Sequence, residues 1–170
     1  ENPVATGVYM RGIGPGAQQS FEQSVGLYVD GIHMAKGRQY RTGLFDLQQI
    51  EVLAGPQGIL FGKNTLAGAI NVTSASANVG DEFGGKITVN KESFGGEIAE
   101  GHIAGSVSDT LAFRFAYKDR QGDGYLPNGY TGADSPTVDE NMWRLSATWE
   151  PTDNIQVKFK HAQSEHVRVG

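Results

Sequence analysis

Several features that would indicate familiar classes of protein are missing from this chain. None of its 170 residues is cysteine, which excludes disulfide bonds and thiolate metal sites. No apolar run approaches the roughly 20 residues of a membrane-spanning helix. The first residues lack the basic start and apolar core of a signal peptide, so we expect a mature, truncated or cytoplasmic chain. The formal net charge of −5 argues against nucleic acid as the main partner.

Glycine, in contrast, is abundant, with 24 residues, and it recurs in "IEVLAGPQGILFGKNTLAGAINV" (residues 50–72). The segment "GILFGKN" invites comparison with a nucleotide-binding loop. A P-loop needs four residues between its glycines and a serine or threonine after its lysine. Here three residues separate Gly58 from Gly62, and Asn64 follows Lys63. We therefore predict a strand, one helical turn closed by Gly62, a glycine-rich loop and a second strand.

The first part of the chain, residues 1–80, mixes short apolar segments with loops rich in glycine, proline and glutamine. This mixture predicts a small α+β domain, with a short helix over Gly43–Leu47. The predicted strands are Val8–Met10, Gly26–Ile32, Gln49–Leu53 and Ala69–Thr73.

The second part, residues 81–170, follows a different pattern. In "TLAFRFAYKD", "MWRLSATWE" and "NIQVKFKH" the odd-numbered residues of 111–117, 143–149 and 155–159 are apolar or aromatic, and the even-numbered residues are mostly polar or small. A period of two predicts strands with one apolar and one polar face. Together with "GKITVN" and "EIAEGHIAGSVS", these segments predict about five antiparallel strands.

The connections between these strands differ at the two ends. "SVSDTL" and "EPTDNI" are short turns at one end, whereas residues 119–140 form a long polar loop at the other. Short turns at one end and long loops at the other are typical of transmembrane β-barrels. A soluble antiparallel sandwich also gives alternation and tight turns. The length of the predicted strand at Thr110–Gln121, about 40 Å at 3.3 Å per residue, favours the barrel.

The barrel interpretation assigns the two faces of the strands. Phe115 and Leu145 are expected to face lipid, and Arg114 and Ser146 the lumen. A sandwich would instead bury the odd-numbered face in its core. Whether the odd-numbered face is exposed or buried therefore distinguishes the barrel from the sandwich.

Three segments, in order, resemble the TonB-dependent outer-membrane receptors. They are "YMRGIG" (9–14), "VGLYVDGIHM" (25–34) and "LFDLQQIEVLAGPQGILFGKNTLAGAINVTS" (44–74), followed by strands from Gly84. The resemblance implies a plug domain at 1–80 and the first strands of a barrel at 81–170. The fold class it implies is β-rich, an α+β plug followed by antiparallel transmembrane strands. Because the family's plugged barrel has 22 strands, we expect this chain to be a fragment.

The resemblance also implies a function. Such receptors lie in the bacterial outer membrane, contact its lipid and import a scarce solute, a ferric siderophore first among the candidates. They draw energy from a TonB-type protein, whose binding segment we expect to lie outside this sequence. They are transporters and not enzymes, so no catalytic residue, cofactor or metal is expected. The rival hypothesis is a soluble β-rich binding or adhesion module without a transport role.

In the family, arginines of two plug motifs pair with barrel carboxylates and hold the plug as a latch. Arg11 fits the first motif, "RG". The second motif reads "EVLAGP", so Ala54 stands where the family has an arginine, and Glu51 is its remaining charged residue. The resemblance therefore assigns Arg11 and Glu51 to the latch, half of which is altered.

Two plug loops, residues 14–24 and 32–43, are expected to contact the ligand, because the family presents such loops at the outer end of the plug. The second loop is cationic and has no carboxylate between Ile32 and Gly43. Cations beside aromatic rings suit an anionic ligand such as a ferric chelate. The candidate ligand residues are Gln18, Gln19, Phe21, His33, Lys36, Arg38, Tyr40 and Arg41.

Overall fold

The structure is a computed structural model that describes residues 8–14, 24–35, 39, 44–127, 129, 132 and 134–169. The chain divides into two compact units, Glu1–Ala75 and Ser76–Gly170. This division falls slightly before the domain boundary predicted after residue 80. The assignment of residues 1–80 and 81–170 to two domains remains a prediction.

The first unit contains a four-stranded sheet in the order β2-β1-β4-β3. Strand β1 is parallel to β4, and the other two pairings are antiparallel. Leu27 of β1 and Val72 of β4 are buried at its core, where β-branched and leucine side chains favour strand structure. The strands are β1 (Val25–Val29), β2 (Ile32–Met34), β3 (Leu47–Ala54) and β4 (Gly68–Ser74).

The predicted helical turn is confirmed. Helix α1 covers Gly58–Phe61, and Gly62 follows it with a φ of 72° and donates its N–H to the carbonyl of Gly58. Glycine enters this region of φ without steric cost. No helix within the described ranges is long and apolar enough to span a membrane.

Three predictions for the first unit were wrong. The predicted strand Gly26–Ile32 is two strands, because Asp30 and Gly31 adopt positive φ values of 50° and 80°, as in an Asp-Gly hairpin turn. Val8–Met10 contains only an isolated bridge from Met10 to Ile13. No helix occupies the described part of Gly43–Leu47, where β3 begins instead; Gly43 itself lies outside the described residues.

The second unit is a five-stranded antiparallel sheet in the order β11-β10-β7-β6-β5, as the alternation predicted. The β6–β7 and β10–β11 connections are tight turns, also as predicted. The large strands are β5 (Gly84–Lys91), β6 (Glu97–Ser108), β7 (Leu111–Gly122), β10 (Thr137–Thr152) and β11 (Ile155–Val169).

The prediction of one long loop over residues 119–140 was wrong at both ends. Strand β7 continues to Gly122 and β10 begins at Thr137, because their backbones stay paired at this end. Between them, β8 (Leu126–Pro127) and β9 (Asp134–Ser135) form a small antiparallel pair. Residues 119–122 and 137–140 therefore extend the five-stranded sheet, whereas β8 and β9 form a separate sheet.

The two faces of the middle strands, as in β10, differ in burial, whereas β5 and β11 are mostly exposed on both faces. Leu145 is 36% exposed and Trp149 is 49% exposed, whereas Ser146 and Thr148 are 3% and 2% exposed. The predicted alternation of faces is confirmed, with the polar side chains on the buried face. A sandwich would bury the apolar face, so this rival is not favoured. That the exposed face meets lipid remains a prediction.

Candidate functional site

A ring cluster in the first unit joins the β1–β2 hairpin to helix α1. Tyr28 and His33 are cross-strand partners, and their rings stack with centroids 4.9 Å apart. Phe61 packs on the other side of Tyr28, with ring centroids 4.8 Å apart, and its carbonyl accepts a hydrogen bond from the Tyr28 hydroxyl. Burial raises the pKa of Tyr28, because an apolar surrounding disfavours the phenolate.

His33 is a predicted ligand residue that lies in the described part of the chain. It is half-buried, and its stacking on Tyr28 fixes the start of the cationic loop, residues 32–43. The other predicted ligand residues lie outside the described residues, so their contacts stay predictions. They are Gln18, Gln19, Phe21, Lys36, Arg38, Tyr40 and Arg41.

The two predicted latch residues occupy different settings. Arg11 is exposed and has a φ of 53°, and it has no ion-pair partner in the part of the chain that the structure describes. Glu51 lies on β3 and accepts a hydrogen bond of 2.8 Å from the Asn71 side chain of β4. The structure does not bring Arg11 and Glu51 together. Ala54 ends β3 opposite Gly68.

Sequence reasoning missed the hydrogen bonds of Asp30. Its carboxylate accepts from the backbone N–H of Ser74 at 2.9 Å and from the Ser74 hydroxyl at 2.6 Å. These contacts hold the β1–β2 turn against the end of β4, immediately before the first unit ends at Ala75. The Asp-Gly pair in "YVDGI" was the available signal, because Asp-Gly marks a two-residue hairpin turn.

A second missed feature is residues 76–82, which we term the connector and which lies within the second unit. The Thr148 hydroxyl of β10 donates to the carbonyl of Ala77 at 2.9 Å in a buried position. Ser106 of β6 accepts from the N–H of Gly80 at 2.6 Å and donates its own N–H to the carbonyl of Asp81 at 3.0 Å. The connector is therefore fixed to two strands of the sheet.

Close packing after the connector depends on Gly105 of β6. Its φ is 149°, and a Cβ at this position would lie 2.5 Å from the Cα of Phe83. Any larger residue would push the chain away from the sheet. No local sequence signal predicts this contact, since residues 83 and 105 are far apart in the chain.

A polar pocket of about 440 Å³ opens beside the connector. Charged or titratable side chains of both signs line it, namely Asp81, Glu82, His102 and Arg114. Within the described ranges, no group of three or more His, Cys, Asp or Glu residues could hold a metal ion. The pocket therefore suits a polar group and offers no metal-ligand set.

Comparisons with known proteins agree with this geometry. Residues 1–69 match the family described as the TonB-dependent receptor plug domain. The pesticin receptor of Yersinia enterocolitica is 30% identical over 134 residues, which are 78% of this chain and 19% of that protein. The chain therefore spans about a fifth of this curated relative.

Two solved structures share the fold. The ferric yersiniabactin uptake receptor of Yersinia pestis has a TM-score of 0.84 at 24% identity, over 96% of this chain and 26% of that one. The pyoverdine outer-membrane receptor of Pseudomonas aeruginosa has a TM-score of 0.74 at 14% identity, over 94% and 22%. At these identities the likeness shows the fold: a plug followed by strands of a barrel. The predicted resemblance, fold class and outer-membrane location are confirmed.

Proposed function

Residues 1–69 of this chain belong to the plug domain of the TonB-dependent receptors, and we propose that the chain is part of a receptor that imports a ferric siderophore. The observation that carries the proposal is a plug followed by five antiparallel strands, of which β10 buries its polar residues Ser146 and Thr148 and exposes Leu145 and Trp149. A strand with an exposed apolar face and a buried polar face suits a barrel wall between lipid on the outside and a filled lumen on the inside. Two receptors of similar fold take up ferric yersiniabactin and bind pyoverdine, and they suggest the ligand class.

The charge of the loop over residues 32–43 supports an anionic ligand. It carries Lys36, Arg38 and Arg41 and no carboxylate, although the whole chain has a net charge of −5. Loops at the mouth of a barrel focus the electric field and steer charged solutes. We propose Arg38 as the principal contact, with Tyr40 as a flat surface beside the chelate.

The remaining proposed ligand residues complement this cationic loop. Phe21 supplies a second flat apolar surface, and Gln18 and Gln19 supply amide donors for chelate oxygens. His33 adds a polar ring whose position is held by Tyr28. These roles follow from side-chain chemistry and from the place of the loops in the family.

Energy coupling completes the proposed function. Binding above the plug would bias its attachment to the barrel, and a TonB-type protein would then pull on the plug from the periplasm. Arg11 and Glu51 serve in the proposed latch, with Ala54 at the position of the missing arginine. A buried barrel carboxylate without this arginine would cost folding free energy. We therefore expect another residue in place of that carboxylate in the whole receptor. No enzymatic role is proposed.

The test measures binding of ferric yersiniabactin and ferric pyoverdine to the intact purified receptor at several salt concentrations. The double variant Lys36→Ala with Arg38→Ala should bind more weakly and respond less to salt, because two charges that attract the anion are removed. Lys63→Ala is the matched control, since it removes an exposed cation of the same unit outside the loop. Equal affinity and equal salt response in wild type and double variant would contradict the proposed ligand site.

A further inference from the structure

Lysine and arginine residues are concentrated on one part of the even-numbered face of the five-stranded sheet, which is buried at β10 and exposed at Lys86 and Lys158. In the half nearest the tight turns, the even-numbered positions of this face carry Lys86, Arg114, Arg144, Lys158 and Lys160. Glu150 lies in the bulge that follows Trp149 and accepts from Gln156 at 2.6 Å. Asp81 and Glu82 of the connector line a pocket together with Arg114. This distribution contrasts with the acidic character of the whole chain.

The other half of the same face has a balanced charge. Lys118 lies 3.8 Å from the carboxylate of Glu100, and Arg120 lies 3.1 Å from that of Glu92, just beyond β5. Cross-strand pairs of opposite charge stabilise a sheet, whereas like charges destabilise it. The excess of cations toward the turns is therefore a local property and not the rule along these strands.

Ser146 lies at the centre of the cationic half. It pairs across the sheet with Arg114 on one side and with Lys160 on the other, and Arg144 lies two residues away on the same face. Neighbouring strands are about 4.8 Å apart, so Arg114 and Lys160 belong to one compact group. We term Arg114, Arg144, Ser146 and Lys160 the inner cationic cluster.

Two of these residues are well buried: Arg144 is 6% exposed, and Ser146 is 3% exposed. The hydroxyl of Ser146 has no hydrogen-bond partner within the described ranges. The three cations each make at least one further noncovalent interaction, so they are not free charges. A buried hydroxyl without a partner is rare in proteins, and here it lies among three cationic side chains.

We propose that the inner cationic cluster is a binding site on the barrel wall for an anionic chelate in transit. Arginine guanidinium groups bind carboxylate or phenolate oxygens through two parallel N–H donors, lysine adds a point charge, and the Ser146 hydroxyl is positioned to donate to the same ligand. The site would act after the ligand leaves the outer loops. The proposal rests on the proposed transport function and adds a second contact along the path.

The test uses the full-length receptor with Arg144→Gln and Lys160→Gln combined. The first measurement is ion selectivity in planar bilayers after urea opens the plug, taken from the reversal potential in a potassium chloride gradient. The ratio of anion to cation permeability should fall by up to about tenfold, the lower range of focusing by charged clefts. An unchanged ratio would overturn the proposal without bearing on ligand binding at the outer loops.

The second measurement separates this site from the outer loops. With ferric yersiniabactin and ferric pyoverdine as probes, the double variant should keep the wild-type affinity and import the bound chelate more slowly. Reduced affinity with unchanged import per bound ligand would contradict the assignment of the inner cationic cluster to the transport path.

Two further variants control for folding and for charge. Lys160→Gln alone changes a half-buried residue and should show a smaller change in selectivity of the same sign. Lys91→Gln removes a cation from the opposite, odd-numbered face, where it pairs with Glu97 at 3.0 Å, and should leave selectivity unchanged. An equal effect of Lys91→Gln would mean that the net charge of the barrel, and not the cluster, sets the selectivity.

Discussion

The two units of this chain differ in the large side chains that they bury and expose. The first packs Leu27 and Val72 into the core of a small sheet, as water-soluble domains do. The second buries Ser146 and Thr148 and exposes Trp149. Alternation along a strand therefore defines two faces without stating which of them is buried. The surrounding medium decides that question, and for the second unit we propose lipid as the medium that meets the exposed face.

A charge placed on the exposed face of the second unit gives the most direct test of this difference between the units. In the full-length receptor, Leu145→Lys should destabilise the folded barrel by about 2–4 kcal/mol if the side chain lies near the middle of the membrane. The physical reason is the desolvation of an ammonium group in hydrocarbon. Equilibrium unfolding in lipid vesicles measures this difference.

The control for this prediction is Ser164→Lys on β11. Ser164 lies on the even-numbered face opposite Met142, and it is exposed, whereas Ser146 is buried between two cations and would be a poor control. A lumen-facing lysine should cost much less than one that faces lipid. Equal losses of stability in the two variants would remove the lipid assignment.

Hydrogen bonds hold the connector in the second unit, whereas apolar packing holds the core of the first unit. Thr148→Val leaves the buried carbonyl of Ala77 without its donor, at a cost of about 1–3 kcal/mol. Amide exchange of residues 76–82 in the full-length receptor should accelerate accordingly, by about tenfold for each 1.4 kcal/mol.

The matched variant is Thr148→Ser, which keeps the hydroxyl and should retain most of the protection. If Thr148→Val exchanges as slowly as wild type and Thr148→Ser exchanges faster, then the methyl group, and not the hydrogen bond to Ala77, holds the connector.

The strands of the second unit could be predicted because period two is a local pattern that survives in any environment. The helical turn at Gly58–Phe61 had equally local signals in proline and glycine. The Asp30–Gly31 turn was missed although its signal was present, since the apolar run around it was taken as one strand. The contact of Thr148 with Ala77 joins residues 71 positions apart, and no local pattern encodes it.

The residues of the candidate sites also differ in whether the sequence alone could identify them. The excess of cations in residues 32–43 is a property of composition, so it was visible in the sequence. The inner cationic cluster was not, because Arg114, Ser146 and Lys160 come together only through the register of three strands. Alternation placed Arg114 and Ser146 on one face, but only pairing makes them neighbours.

The smallest expected effect concerns the first unit and the hydrogen bond that holds helix α1 to its sheet. Tyr28→Phe keeps the ring contact with Phe61 and removes the hydroxyl donor, at a cost of about 0.5–1.5 kcal/mol to plug stability. Because burial raises the pKa of Tyr28, the neutral hydroxyl stabilises the fold. This contribution is complete below the ordinary tyrosine pKa of about 10 and is lost as pH rises through the higher folded value.

Plug unfolding in urea measures both effects in the full-length receptor, with a fluorophore on Lys63→Cys, the sole cysteine this chain would then contain. Wild type should lose stability at strongly alkaline pH by more than Tyr28→Phe does, because only wild type must accommodate a buried phenolate. Tyr125→Phe is the control, since Tyr125 is exposed in the second unit and its loss should leave the alkaline response intact. If Tyr28→Phe has the same alkaline response as wild type, Tyr28 does not couple the stability of the plug to pH. If the two are equally stable at neutral pH, the hydrogen bond to Phe61 does not stabilise the plug.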